Sequence, residues 1–148
     1  MEEVRFKHED GEGVVRILSP QMLTTEVKGT GSNEFVLLYI REFHAFLHTA
    51  TRKFDLCHDW GGLTKIGPDA RTTYTRWAEE RRPRVQRSCR GIHILVESAI
   101  PLLALEVASV FAGKYLHVYR SRTLFEQERA QLLRSPSREL IDRGAGPL

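Results

Sequence analysis

The chain has very little sulfur, no long apolar run and none of the glycine signatures that announce a nucleotide. Only two cysteines occur, Cys57 and Cys89. Two cannot build a disulfide framework, so both read as reduced thiols of a cytoplasmic protein. No apolar stretch approaches the roughly 18 residues that a membrane span requires. The opening MEEVRFKHED lacks the apolar core of a secretory leader, and export by that route is not expected. Gly-x-Gly-x-x-Gly, Walker and Gly-x-Ser-x-Gly segments are all missing, so no cofactor is expected. Internal repeats and low-complexity tracts are missing too.

What is present is an ordinary globular composition, 41% hydrophobic and 28% charged over 148 residues. That length fits one domain with a sizeable core. The expectation is a domain over residues 1–134 and a flexible tail over 135–148. The net charge of +3 is unevenly placed, since seven arginines lie between Arg71 and Arg90. As a solvated helix face that cluster needs no explanation. As a docking patch it suits an acidic partner.

The periodicities give an alternating order. Residues 4–8 and 14–18 read as two strands around the turn Glu9-Asp10-Gly11-Glu12-Gly13. Residues 19–27 are ambiguous between a weak strand and the entry to a helix. Residues 33–50 form a helix, with Val36, Tyr39, Ile40, Phe43, Phe46, Leu47 and Ala50 on one stripe and Ser32 or Asn33 as cap. Residues 53–60 form a strand that Gly61 and Gly62 should stop, followed by a loop to Pro68. A second helix starts near Asp69 as N-cap and should end or kink at Pro83. Ile92 to Val96 is apolar throughout, as in a parallel strand covered on both faces. Ser98 caps the next helix, Pro101 sits in its first turn, and Gly113 closes it. Tyr115–Tyr119 is the last strand. Thr123 and Glu126 suggest a capping box for a final helix to about Leu133. Alternating strands and helices behind a hairpin imply an α/β fold with a mixed, largely parallel sheet and helices packed over it.

Four stretches carry a resemblance. They are Lys53-Phe-Asp-Leu, the Trp77 helix, Gly91-Ile-His-Ile-Leu-Val, and Leu116-His-Val-Tyr followed by Phe125-Glu-Gln-Glu-Arg129. In order and apolar pattern they resemble the STAS fold of sulfate transporters and anti-sigma-factor antagonists, and more narrowly its SpoIIAA-like, Sec14-related group. The resemblance implies a module that acts by protein contact. In anti-sigma antagonists an Asp-Ser pair opens the helix after this strand, and phosphorylation of the serine switches binding. The matching pair here is Asp69-Ala70, which keeps the carboxylate and lacks the hydroxyl. Thr72 and Thr73 lie one turn on, and Thr64 precedes them.

Other residue sets look chemical when read as letters. Cys57, His58 and Asp59 are adjacent, but neighbouring strand residues point to opposite faces, so His58 cannot serve Cys57. Asp55 and Asp59 share a face, a strand repeat apart, and make a weak acid–base pair. His44 and His48 have helical i, i+4 spacing without the further ligands that zinc needs. His58, His93 and His117 occur in three parallel strands, so lateral alignment can bring them together; each is equally explained as a strand histidine with one hydrogen bond. The arginine cluster has no interleaved aromatics except Tyr74 and Trp77, which belong to the packing stripe, so a specific nucleic-acid reader is not supported.

The helix over 100–111 is apolar on more than one stripe. Leu102 and Leu105 lie off its packing side and need cover from a neighbouring helix, a second copy or a ligand. The function expected is therefore non-enzymatic and regulatory, through protein–protein contact and self-association. The alternative is a carrier or sensor of a small apolar or amphipathic ligand. The partner-binding candidates are Asp69, Thr72, Thr73, Arg81, Arg82, Arg84, Leu102 and Leu105.

Overall fold

The computed structural model describes residues 2–97, 106 and 116–141. The elements are β1 (Glu2–His8), β2 (Gly11–Ser19), β3 (Met22–Gly31), α1 (Asn33–Thr49), β4 (Phe54–Ile66), α2 (Pro68–Ser88), β5 (Cys89–Leu95), β6 (Leu116–Tyr119) and α3 (Arg122–Arg134). The six strands form one sheet in chain order. β1, β2 and β3 pair antiparallel, and β3 to β6 run parallel. The architecture is the mixed α/β sheet expected, with α1 and α2 against one face and α3 against the other. Apart from Glu106, the apolar helix expected over 100–111, with Leu102, Leu105 and its caps, lies outside the described residues. No described helix is long and apolar enough to cross a membrane.

Several local expectations are corrected. The first hairpin turns on Glu9 and Asp10 alone, with His8 opposite Gly11. Residues 22–31 are a full strand, paired on both edges. Pro20 and Gln21 turn the chain into it, since Ser19 pairs with Met22. Its side chains alternate, with Leu23, Thr25 and Val27 toward α1, and Met22 toward α3. β4 does not stop at its glycines but continues to Ile66. A Cβ on Gly62 would lie 2.9 Å from the Val27 carbonyl oxygen, where the β3–β4 register shifts. The glycine accommodates a close backbone approach at an irregularity, so the expected loop before Pro68 is strand.

Likewise α2 runs through Pro83 to Ser88, because its buried stripe of Ala70, Tyr74, Trp77 and Ala78 continues in Val85 and Ser88. Burying that stripe outweighs the backbone donor that proline removes. Gly67, not Asp69, is the N-cap of α2, with Pro68 as first helical residue. Ser32 caps α1 by accepting from the Phe35 N–H at 3.1 Å. Ser121, rather than Thr123, caps α3. Residues 135–141 run back along the α1–β4 connection. Lys53 N–H donates to the Glu139 carbonyl at 2.9 Å, and Ile141 is buried.

Candidate functional site

The sheet separates two polar groups of different character. On the α1 and α2 face, His58 Nδ1 lies 2.8 Å from both Thr25 Oγ1 and Tyr39 OH. Those two hydroxyls are 3.0 Å apart, and Trp60 Nε1 donates to Tyr39 OH at 3.4 Å. Burial pushes His58 down to about 3, with a smaller push from His93. Burial also pushes the Tyr39 hydroxyl up to about 12. This knot is a satisfied structural network around a neutral imidazole. The adjoining space between α1 and α2, lined by Val27, Tyr39, Trp60, Leu63 and Tyr74, holds about 30 Å³. That volume suits a water molecule, not a carried ligand.

The letters Cys57, His58 and Asp59 are not assembled. Cys57 packs with Met22, Leu95 and Phe125 on the α3 side, away from His58. Burial first, and the Asp55 charge second, push its thiol up to about 12. Among the described residues, no three His, Cys, Asp or Glu side chains are placed to hold a metal ion. The rings of His44 and His48 stack at 6.5 Å on α1 and gain no third partner of that kind.

The α3 face is where titratable groups converge. Strand alternation puts Asp55, Cys57 and Asp59 of β4 on this side. The register aligns Asp55 with Gly91, Cys57 with His93, and His93 with His117. Asp55 is 1% exposed. Its Oδ2 accepts from Arg90 Nε at 3.0 Å and Nη2 at 2.6 Å. Its Oδ1 is sealed from solvent and has no hydrogen-bond partner. His93 Nε2 stands 3.8 Å from that oxygen, beyond hydrogen-bond reach. The other His93 nitrogen is 3.2 Å from Tyr119 OH, and the His93 ring stacks on His117 at 4.9 Å and 12°. Arg90 also donates to the carbonyls of Leu132 and Ser135 at the end of α3.

Asp55, Arg90, His93 and His117 line a cleft of about 340 Å³ together with Glu128 and Gln131 of α3. Gly91 keeps its floor open. A Cβ there would stand 2.9 Å from His93 Nε2 and 3.6 Å from Asp55 Oδ1. Partial burial, then the His93 charge, hold His117 below its ordinary range against opposing pulls from Glu128 and Asp55. Of the three strand histidines, the structure thus brings His93 and His117 together, while His58 lies on the other face.

Four residues along β4, Asp59 holds a second arginine. Arg122 Nη1 and Nη2 donate to its two carboxylate oxygens at 2.7 and 3.2 Å, and Arg122 Nε lies 2.7 Å from Glu97. The Asp59 bonds hold the Arg122 guanidinium further above its ordinary range, though burial opposes them. Asp55 and Asp59, read as a weak acid–base pair, instead anchor the two ends of α3.

The expected partner residues are spread out. Asp69 and Thr72 are exposed in the first turns of α2, and Thr72 Oγ1 donates to the Pro68 carbonyl at 3.0 Å. Thr73 is half-buried, its hydroxyl donating to Asn33 Oδ1 at 2.6 Å and tying α2 to α1. Thr64 Oγ1 donates to the Gly29 carbonyl. Arg82 is exposed and Arg81 half-buried, roughly 20 Å further along the helix from Asp69. Arg84 is only 6% exposed. It falls one heptad after Trp77 on the packing stripe, so it is no part of a surface patch. Leu102 and Leu105 are outside the described residues; Glu106, which is described, pairs with Arg71 and accepts from Thr75 of α2.

The sequence reading missed Asp55, Arg90 and Gly91 as members of a site. The usable signal was alternation. Once β4, β5 and β6 are set in parallel register, Asp55, Gly91, His93 and His117 fall on one face. The chain matches no protein-family model and no curated protein.

Proposed function

We propose that this chain is a STAS-like regulatory module that works by binding rather than by a reaction of its own, and that it senses a small polar ligand in the cleft under α3. The observation that carries this reading is the cleft itself, about 340 Å³, where His93, His117, Glu128 and Gln131 converge over the Asp55–Arg90 pair. The cleft volume lies within the usual range for small-molecule sites. The sensor reading therefore moves from an apolar ligand between helices to a polar one on the opposite face. The element order and mixed sheet support the STAS-like part of the proposal. Both cysteines are buried free thiols, which suits a cytoplasmic setting.

The test is a thermal-shift screen of small polar compounds, run in parallel on the wild type and Gly91→Ala. A compound that stabilises the wild type and not the variant supports the cleft. If every stabilising compound acts equally on both proteins, the cleft is not the site.

The output of such a module is contact with a protein, for which the exposed start of α2 is the favoured surface. Asp69 and Thr72 are exposed there, and Leu37 on the neighbouring helix is 51% exposed. An acidic partner steered by Arg81 and Arg82, and a homodimer through Leu102 and Leu105, belong to the same proposal. Leu102→Glu with Leu105→Glu should yield a folded monomer in sedimentation; an unchanged sedimentation profile removes that helix from any interface. Partner recovery in a pull-down should fall for Asp69→Arg; equal recovery would discard the α2 surface.

A further inference from the structure

We infer that β1 pairs antiparallel with β1 of a second copy about a two-fold axis at Arg5, so that two sheets join into one. This contact is independent of the cleft and of the helix that carries Leu102 and Leu105.

β1 is an edge of the sheet, and Glu2, Glu3, Val4 and Arg5 are all exposed. The two-residue turn over Glu9 and Asp10 makes His8 and Gly11 a hydrogen-bonded pair. Alternate residues then bond to β2, namely His8, Phe6, Val4 and Glu2. Glu3, Arg5 and Lys7 turn their backbone N–H and C=O groups outward. Neither a register shift nor a proline blunts this edge over its seven residues. The opposite edge strand, β6, has only four residues.

Charges on an edge deter an arbitrary strand, but these match a copy of themselves. With the axis at Arg5, Glu3 stands opposite Lys7 of the second copy, and Lys7 opposite Glu3. Val4 meets Phe6 on the face that carries α1, and Glu2 meets His8. Arg5 meets Arg5 at the axis. Each Arg5 is paired with Glu3 of its own strand at 3.0 Å, and its side chain is 66% exposed, so the two guanidinium groups turn apart into water. Moving the axis to Phe6 sets Arg5 against Lys7. Moving it to Val4 leaves Lys7 and His8 beyond the end of the opposing strand.

A two-fold axis normal to the sheet keeps both α1 helices on one side. Beside β1 each α1 leaves a groove of about 180 Å³, lined by Val4, Ile17, Ala45 and Thr49 among others. Val4 is 42% exposed there. The second copy covers it.

The test is sedimentation equilibrium at low ionic strength, at concentrations up to about 1 mM because so narrow a contact is weak. Amide hydrogen exchange is measured at the lowest and highest concentrations. A dimer should form, and the amides of Glu3, Arg5 and Lys7 should gain protection in it. Those of Val4 and Phe6 should be protected throughout. Leu102→Glu with Leu105→Glu should leave this pattern unchanged. Arg5→Pro removes an outward donor and no bond to β2, so it should give a monomer with an unchanged circular dichroism spectrum. Glu3→Lys and Lys7→Glu should each weaken the dimer at least about fivefold. An equimolar mixture of those two variants should recover it, since every charge then meets its opposite. A monomer at the highest concentration overturns the inference, as does a dimer in which the Glu3, Arg5 and Lys7 amides stay unprotected. A mixture as weak as either variant alone overturns the pairing about Arg5, whether or not Arg5→Pro folds.

Discussion

Arg90 and Asp55 form an ion pair in which the carboxylate is sealed and the guanidinium is not, the two side chains being 2% and 30% exposed. Removing Arg90 strands a buried charge, which costs about 3–5 kcal/mol. The chemically similar pair four residues on is wetter, with Arg122 44% exposed, and such pairs contribute about 1 kcal/mol or less. Arg90→Ala should therefore lower the urea midpoint far more than Arg122→Ala. Equal losses would show that Asp55 is not charged and buried as described.

His58 makes stability depend on pH. Burial holds it at about 3, below its ordinary 6.5. The unfolded chain takes up a proton below 6.5 that the folded chain refuses until about 3. Its contribution is thus intact above 6.5 and lost as pH falls through that window, at up to about 1.4 kcal/mol per pH unit. His44 and His117, also lowered, add in the same direction. Urea titrations between about pH 7 and about pH 5 should give a flatter slope for His58→Gln than for the wild type. His117→Gln should keep most of the slope. A His58→Gln slope as steep as the wild type would contradict this account.

Pro83 is exposed inside α2 and gives the helix no backbone donor at that turn. Pro83→Ala restores one hydrogen bond and deletes nothing packed. It should raise the melting temperature, by a stabilisation on the order of 1–3 kcal/mol. A lower melting temperature would mean that the proline ring fits a distortion the helix needs.

α3 rests on the sheet through one fully buried side chain, Phe125, against Met22, Cys57 and Leu95. Phe125→Ala should cost about 3–5 kcal/mol. Limited proteolysis should then cut within Arg122–Arg134 before any other described helix. Cleavage that begins instead in α1 or α2 would show that α3 does not rely on this contact.

The order and class of the elements were legible because periodicity reports burial directly. The stripe of α1 and the alternation of β4 translate into the observed faces. What failed were the rules for punctuation. Gly61-Gly62 and Pro83 looked like stops, yet the first marks a close strand approach and the second is overridden by Val85 and Ser88 packing beyond it. Ser19-Pro20 hid β3 because a proline in a hairpin turn looks like a strand break. The cleft was half visible. His93 and His117 stood out as histidines, but Asp55 was weighed against Asp59 along its own strand. Its real partners, Arg90 and Gly91, come from a strand that only the parallel register places beside it.

That alternation also guards the pairing of β4 with β5. A slip of β5 by one residue would turn His93 into the dry layer beneath α1 and α2, and turn Ile92 and Ile94 out toward the cleft. Misaligned sheets would thus bury a polar ring and solvate oil at the same stroke. The polar groups that line the cleft are, on this account, also the proofreading marks of the sheet during folding.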